Sequence, residues 1–362
     1  MSGPEGRVVV TGMAVNTPLS DTLDGTLAAL LAGRSALSRW QTLDVSRCYS
    51  KIGGDLGGYD VQPRVDSLSP RLPPAVAQRL SRLLGRVPWS PRLGLVLVAD
   101  AIADAGLTEA ELGSAHVVVG GHNLSAAYVD EGYTRFAAEP ASLAVGHELY
   151  SLDTTQAACV SELLGSRGPA YTIGGACASA NLALQAGCRE ILRHGAERVV
   201  VLGAVPEPAV GSLHGFALIG ALSIASFNDD PTRASRPWDL RREGFVPAHG
   251  GGVMVLEDAE VAEARGARVY AELAGVATCS DANHLTVPNA EGQARALSMA
   301  LRRAGVAPEE VDYVSAHATS TPQGDLVELS AIRAALGRHA EAVKINATKS
   351  MIGHTFSAAA MV

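Results

Sequence analysis

Short β-rich apolar runs alternate with longer helical patterns along this chain, and that alternation points to the α/β class. RVVVT (Arg7 to Thr11) reads as a buried first strand closed by Gly12. Asp21 to Ala32 has helical spacing with Gly33 after it, and Ser46 to Pro74, rich in Gly, Pro, Ser and Asp, reads as surface loop. Further helices are expected over Arg92 to Ala105, Ala178 to Arg193, Glu291 to Arg303 and Gly324 to Leu336. Further strands are expected at His116 to Val119, Ala170 to Ile173, Arg198 to Leu202, Gly252 to Leu256, Arg268 to Leu273 and Val311 to Ala316. A polar, helix-prone stretch, EDAEVAEARGA (Glu257 to Ala267), separates two α/β runs and predicts halves at 1–257 and 258–362. The closing TFSAAAMV (Thr355 to Val362) reads as a helix that stops without Gly, Pro or a basic last turn, so an incomplete second half is expected.

Composition narrows the function classes. With 362 residues, 47% of them apolar, the chain can bury a large core and needs no disulfide staples. The balance of 29 basic against 37 acidic residues, a net charge of -8, argues against general nucleic-acid binding, which needs a basic field. Aromatics at 4% are too few for base-stacking platforms. No apolar run is long enough to span a bilayer, and MSGPEGRVVVTGMAV lacks the pattern of a secretory signal. The five cysteines, Cys48, Cys159, Cys177, Cys188 and Cys279, form no CxxC pair, and no histidines form HxH or HxxxH. Neither a metal site nor a disulfide framework is expected, and a reducing cytoplasm is the expected compartment.

Three strand-to-helix turns carry reactive side chains. In GGACASA (Gly174 to Ala180), Cys177 stands where a strand runs into a helix. Orphan N–H groups and the positive helix end there favour a thiolate, so its pKa is expected to fall. The small neighbours leave room for a carbonyl, and the cysteine N–H can face an oxyanion. Spacing alone fits an inert buried cysteine equally well. In SAHATSTPQGD (Ser315 to Asp325), a strand delivers His317, and Thr319 and Thr321 can face one side to hold an amide-bearing arm or cap the next helix. In NATKSMIGH (Asn346 to His354), a helix start biases His354 toward neutral imidazole, able to donate a hydrogen bond to an enolate, with the Lys349 charge nearby. One cysteine with histidines also fits a thiol hydrolase.

The wording of these segments resembles a known family. RGPAYTIGGACASANLAL (Arg167 to Leu184) resembles the active-cysteine motif of β-ketoacyl-acyl carrier protein synthases. SAHATSTPQGDLVE (Ser315 to Glu328) resembles their first histidine motif, and INATKSMIGHTFSAAA (Ile345 to Ala360) their lysine and second-histidine motif. RPWDLRREGFVPAHGGGVMVLE (Arg236 to Glu257) matches in position and pattern, with His249 where the common pattern has Glu. The resemblance implies a thiolase-like fold: two similar α/β halves in a layered αβαβα arrangement, usually dimeric. It further implies that the family runs on into strands and a Gly-rich loop beyond the last residue here.

The resemblance also implies a mechanism and a partner. Cys177 would take an acyl group from an acyl carrier protein. Malonyl-carrier protein would then lose carbon dioxide, and His317 and His354 would stabilise the enolate. Lys349 and Glu328 would orient the histidines, Thr319, Thr321 and Thr286 would hold the pantetheine arm, and Phe216 would line the acyl pocket. No cofactor is bound by the chain itself, because the phosphopantetheine belongs to the carrier. Homodimer and heterodimer with a related subunit both remain open. The PAHGGG wording resembles a branch of free-standing polyketide-pathway synthases, some of which carry Ser for Cys and only decarboxylate malonyl-carrier protein. Condensation is the first expectation, decarboxylation the second, and a non-catalytic chain-length partner the third. For docking the acidic carrier, the basic run holding Arg79, Arg82, Arg86 and Arg92 is the first choice.

Overall fold

The computed structural model describes residues 6–362. Its centre is a six-stranded mixed sheet. Strand β1 (Val8–Asn16) is almost wholly buried, and with β4 (His116–Gly120), β5 (Ala170–Ile173), β6 (Arg198–Gly203), β7 (Gly251–Asp258) and β8 (Ala271–Glu272) it makes the order β5-β4-β6-β7-β1-β8. β5 pairs parallel to β4 at one edge, and β8 pairs antiparallel to β1 at the other. A two-stranded hairpin, β2 (Leu37–Arg39) with β3 (Ile52–Gly54), stands apart.

The period-two alternation of the strands sorts the core onto two faces. Val117, Val119, Val200, Leu202, Val253 and Val255 face the helices Trp89–Ala105 and Thr154–Leu164. Val118, Val199, Val201 and Leu256 face the helix Ser179–His194. That helix lies close to β4 because Gly120 has no side chain: a Cβ there would stand 2.8 Å from the Ala180 backbone.

A second β layer is built by β9 (Tyr313–Ser315) and β10 (Lys344–Asn346), paired in parallel and joined through the helix Gly324–Leu336, on which the helix Ala290–Ala304 packs. Cys177 follows β5, His317 follows β9, and Lys349 and His354 follow β10, so all three reactive turns leave the C-terminal ends of parallel strands. Among the described residues no helix is long and apolar enough to cross a membrane.

Three local expectations are corrected. Ser46 to Pro74 is not all loop: it holds β3 and the helix Gln62–Leu68, whose Pro63 sits in the first turn, where proline starts a helix as readily as it ends one. Of Arg268 to Leu273 only two residues pair, and they extend the first sheet rather than opening a second. Thr355 to Val362 forms a single 3₁₀ turn, Phe356–Ala358, and the chain then lies flat on the sheet. Gly203 and Gly252 form the floor for Met361, whose side chain or carbonyl would meet a Cβ at either position within 2.7 Å.

Candidate active site

Cys177 lies in a 3₁₀ turn, Ala176–Ala178, just before the helix Ser179–His194. The turn is drawn tight: the Ser179 hydroxyl donates to the Ala176 carbonyl and accepts from the Gly175 N–H. Ala176 is held at φ 48°, a left-handed conformation uncommon for a residue with a Cβ and of a kind that clusters at functional sites.

His354 sits 177 residues further on and meets that turn directly. Its Nε2 lies 3.0 Å from Cys177 Sγ. The sequence placed His354 at a helix start. In the structure it follows the end of the short helix Lys349–Ile352 and is held by its backbone instead. Its N–H donates to the Val246 carbonyl at 2.7 Å, and its carbonyl accepts from the Ala248 N–H at 2.9 Å. The preceding Gly353 has φ 86°, and a Cβ there would stand 2.8 Å from the Ala248 Cβ, so only glycine fits this turn. His249, the departure from the common pattern, points away from the site: buried between Trp40 and Trp89, its Nδ1 accepts from the Leu56 N–H at 3.2 Å.

His317 completes the constellation, its ring centroid 5.3 Å from that of His354 and nearly perpendicular to it. The ring is crowded on its inner side but keeps an outer face open to solvent. Burial and the Lys349 charge push its pKa down to about 4. His354 is lowered well below the ordinary imidazole value by burial first, then by His317 and Lys349. The neutral state expected of it therefore stands, but its causes are desolvation and neighbouring charge rather than a helix end. His354 Nδ1 is buried with no hydrogen-bond partner among the described residues. Orphaned N–H groups are rarer than under-satisfied acceptors, so the tautomer carrying its proton on Nε2, aimed at sulfur, is preferred.

The expected fall in the Cys177 pKa is not found. Burial pushes the thiol up, and the Lys349 charge and a backbone N–H offset only part of that. Lys349 is itself buried, which lowers its pKa, while Glu328 and Cys177 pull it back up. Glu328 is raised by burial and accepts the backbone N–H groups of His317, at 2.6 Å, and Ala318, at 2.7 Å. It therefore fixes the His317 turn through the main chain rather than through the imidazole.

Thr319 and Thr321 do face one another, with hydroxyls 3.3 Å apart, and neither caps the helix at Gly324. Their turn is braced by residues the sequence reading missed. Buried Asp325 accepts the N–H groups of Ser320 and Trp238, and the Arg242 guanidinium donates to the Thr321 and Pro322 carbonyls. Thr286 is elsewhere, on an exposed loop with its hydroxyl 3.3 Å from His284 Nδ1. Phe216 packs against Phe245 and Phe356, and both of those rings touch His354. Phe245 and Phe356 were not anticipated either. Their one signal was scarcity: three of the chain's five phenylalanines meet here.

The basic run expected to dock the carrier is only partly committed to the fold, for Arg82 and Arg86 remain exposed. Arg79 donates to the Leu163 and Leu164 carbonyls at a helix end, Arg82 pairs with Glu162, and Arg92 donates to the Val87 carbonyl.

Cys177, His317 and His354 place their ligand atoms within 4.8 Å of one another, a donor set that zinc also accepts. A metal-binding imidazole, however, anchors its other nitrogen to an acceptor, and His354 Nδ1 has none among the described residues. The set suits a nucleophile flanked by two hydrogen-bond donors better than a metal cage. Residues 5–262 match the family described as Beta-ketoacyl synthase, N-terminal domain, and residues 270–362 match Beta-ketoacyl synthase, C-terminal domain. The chain belongs to the β-ketoacyl synthase family.

Its relatives in that family span two activities. It is 33% identical to 3-oxoacyl-[acyl-carrier-protein] synthase 2 of Vibrio cholerae, over 98% of this chain and 84% of the relative. It is 30% identical to the polyketide biosynthesis malonyl-ACP decarboxylase PksF of Bacillus subtilis, over 98% of this chain and 82% of the relative. Among solved structures, the ishigamide ketosynthase/chain length factor superposes with a TM-score of 0.84 at 26% identity, covering 99% of this chain and 84% of that one. The thiolase-like ketosynthase fold expected from the motifs is therefore the fold observed.

Proposed function

We propose that this ketosynthase catalyses decarboxylative Claisen condensation between an acyl group held on Cys177 and malonyl-acyl carrier protein, in polyketide or fatty-acid-like biosynthesis. The observation that carries this reading is the 3.0 Å approach of His354 Nε2 to Cys177 Sγ, with the His317 ring beside both. Sulfur attacks the carrier's thioester carbon, the bond to the pantetheine sulfur breaks, and the proton lost by Cys177 ends on the departing pantetheine thiol. Malonyl-carrier protein then enters. Its carboxylate leaves as carbon dioxide, and the electron pair of the broken C–C bond remains as an enolate. His317 and the His354 Nε2–H hydrogen-bond the enolate oxygen. The enolate carbon attacks the acyl-Cys177 carbon, that C–S bond breaks, and the thiolate takes a proton from solvent. Thr319 and Thr321 hold the pantetheine amides, Lys349 and Glu328 keep the two histidine turns in place, and Phe216 lines the acyl side. Thr286 joins the arm only if its loop moves inward.

The second reading is decarboxylation alone, in which the enolate carbon takes a proton and releases acetyl-carrier protein. The similarity to a malonyl-ACP decarboxylase supports it. A non-catalytic chain-length partner is disfavoured, because Cys177, His317 and His354 converge. Incubation with acyl- and malonyl-carrier proteins, read by intact-protein mass spectrometry, separates these readings. A carrier-bound chain longer by a β-keto two-carbon unit establishes condensation. Acetyl-carrier protein without acylated enzyme establishes decarboxylation, and no turnover leaves the partner role.

The working unit we propose is a homodimer, or a heterodimer with a related subunit. β5 is an open sheet edge, and Tyr133, Phe136 and Leu149 on nearby helices and Leu152 just after one of them are exposed. Light scattering after gel filtration should give twice the chain mass alone or with the sister subunit; a monomer in both cases would refute the dimer. A reducing cytoplasm suits five free thiols.

A further inference from the structure

We infer that Phe356, together with Phe245 and Phe216, closes the acyl side of the Cys177–His354 pair and restricts Cys177 to short acyl groups, acetyl-sized rather than octanoyl-sized. This rests on the reading of Cys177 as acyl acceptor. The three rings form a closed triangle, with centroids 5.7 to 5.9 Å apart. Two of them also grip His354: Phe356 stacks on its face at 5.7 Å, and Phe245 meets it edge-on at 5.1 Å. The 3₁₀ turn that carries Phe356 packs directly against the turn that carries Cys177. An acyl chain growing from sulfur past His354 therefore runs into aromatic rings rather than into a channel.

Phe356 itself is the unusual member. Its φ is 50°, a left-handed conformation that a bulky side chain rarely adopts. Such strain persists where the surroundings over-determine it, and the rings on either side do so here. Behind the triangle there is more packed core, not space: Leu222, Ala217 and Ile224 on one side, and Trp40, Val45 and Leu213 on the other. Beside the cysteine turn, the Leu182 side chain fills the position a Gly175 Cβ would take.

The test measures the rate at which Cys177 is acylated by acetyl-, butyryl- and octanoyl-carrier protein, by intact-protein mass spectrometry, in the wild type, Phe356→Leu and Phe356→Ala. Each methylene that a tight pocket refuses changes selectivity by about tenfold or more. The wild type is expected to favour acetyl over octanoyl by at least about tenfold. Phe356→Ala should narrow or invert that ratio, with Phe356→Leu in between; if the Ala variant does not fold, the Leu variant carries the comparison. Equal acetyl and octanoyl rates in the wild type overturn the inference. So does an unchanged ratio in the variants, which is what a merely structural phenylalanine would give. Absence of any adduct, whatever the chain length, overturns the acyl-acceptor reading and this inference with it, whereas adducts without chain preference overturn only the inference.

Discussion

Cys177→Ala is expected to abolish both the acyl adduct and chain elongation, while malonyl-carrier protein is still decarboxylated at a measurable rate. The expected loss in elongation is on the order of 10⁶-fold, the scale seen when a covalent enzyme loses its nucleophile. The asymmetry follows from the geometry. Removing sulfur leaves no atom to hold the acyl group, but it leaves His354 Nε2 and His317 where the enolate oxygen would form. It also clears the sulfur that occupies the Nε2–H in the resting site. Carrier-bound products quantified by mass spectrometry report both reactions in one sample. Elongation surviving in this variant would remove Cys177 from the mechanism altogether.

His354→Ala should strike the other half of the reaction. Loss of one well-placed donor to a developing oxyanion costs about 10²–10³-fold, or roughly 3–4 kcal/mol. Decarboxylation is expected to fall by that amount. The acylation of Cys177 should slow as well, because the sulfur loses the only side-chain donor it touches among the described residues. Truncation also leaves a void between Phe245 and Phe356, so circular dichroism and a melting curve must accompany the kinetics. A variant that is folded and decarboxylates at the wild-type rate would leave His317 as the sole donor and refute the paired role.

Much of this site was legible in the sequence, and for a physical reason. A strand ending in a turn of small residues leaves a local signature, so the turns holding Cys177, His317 and His354 could each be placed, and β5 and the helix Gly324–Leu336 fall on their expected residues. What converges across the chain left no such mark. Phe245 and Phe356 are 111 residues apart in number and touch only because the backbone of 246–248 grips His354. Nothing local marks Asp325 and Arg242, which the fold buries against the Thr319–Thr321 turn. The thiol pKa departs from expectation for the same reason: a helix end can be read locally, but the depth at which it is buried cannot, and here depth prevails. The tail after His354 has the alanine-rich pattern of a helix, yet tertiary contact with the glycine floor of the sheet prevails over propensity.

The nucleophile belongs to the first sheet and both donors to the second layer, and the contacts that join them include two main-chain hydrogen bonds from 246–248 to His354 and the grip of Trp238 and Arg242 on the His317 side. Neither layer holds a working set by itself. The reactivity of a single thiol is thus a gauge of how the two layers sit against each other. A loosening that parted them by an ångström or two would switch the chemistry off while every strand stayed paired. Slow alkylation of Cys177 could then report the seam opening well before circular dichroism registers any melting.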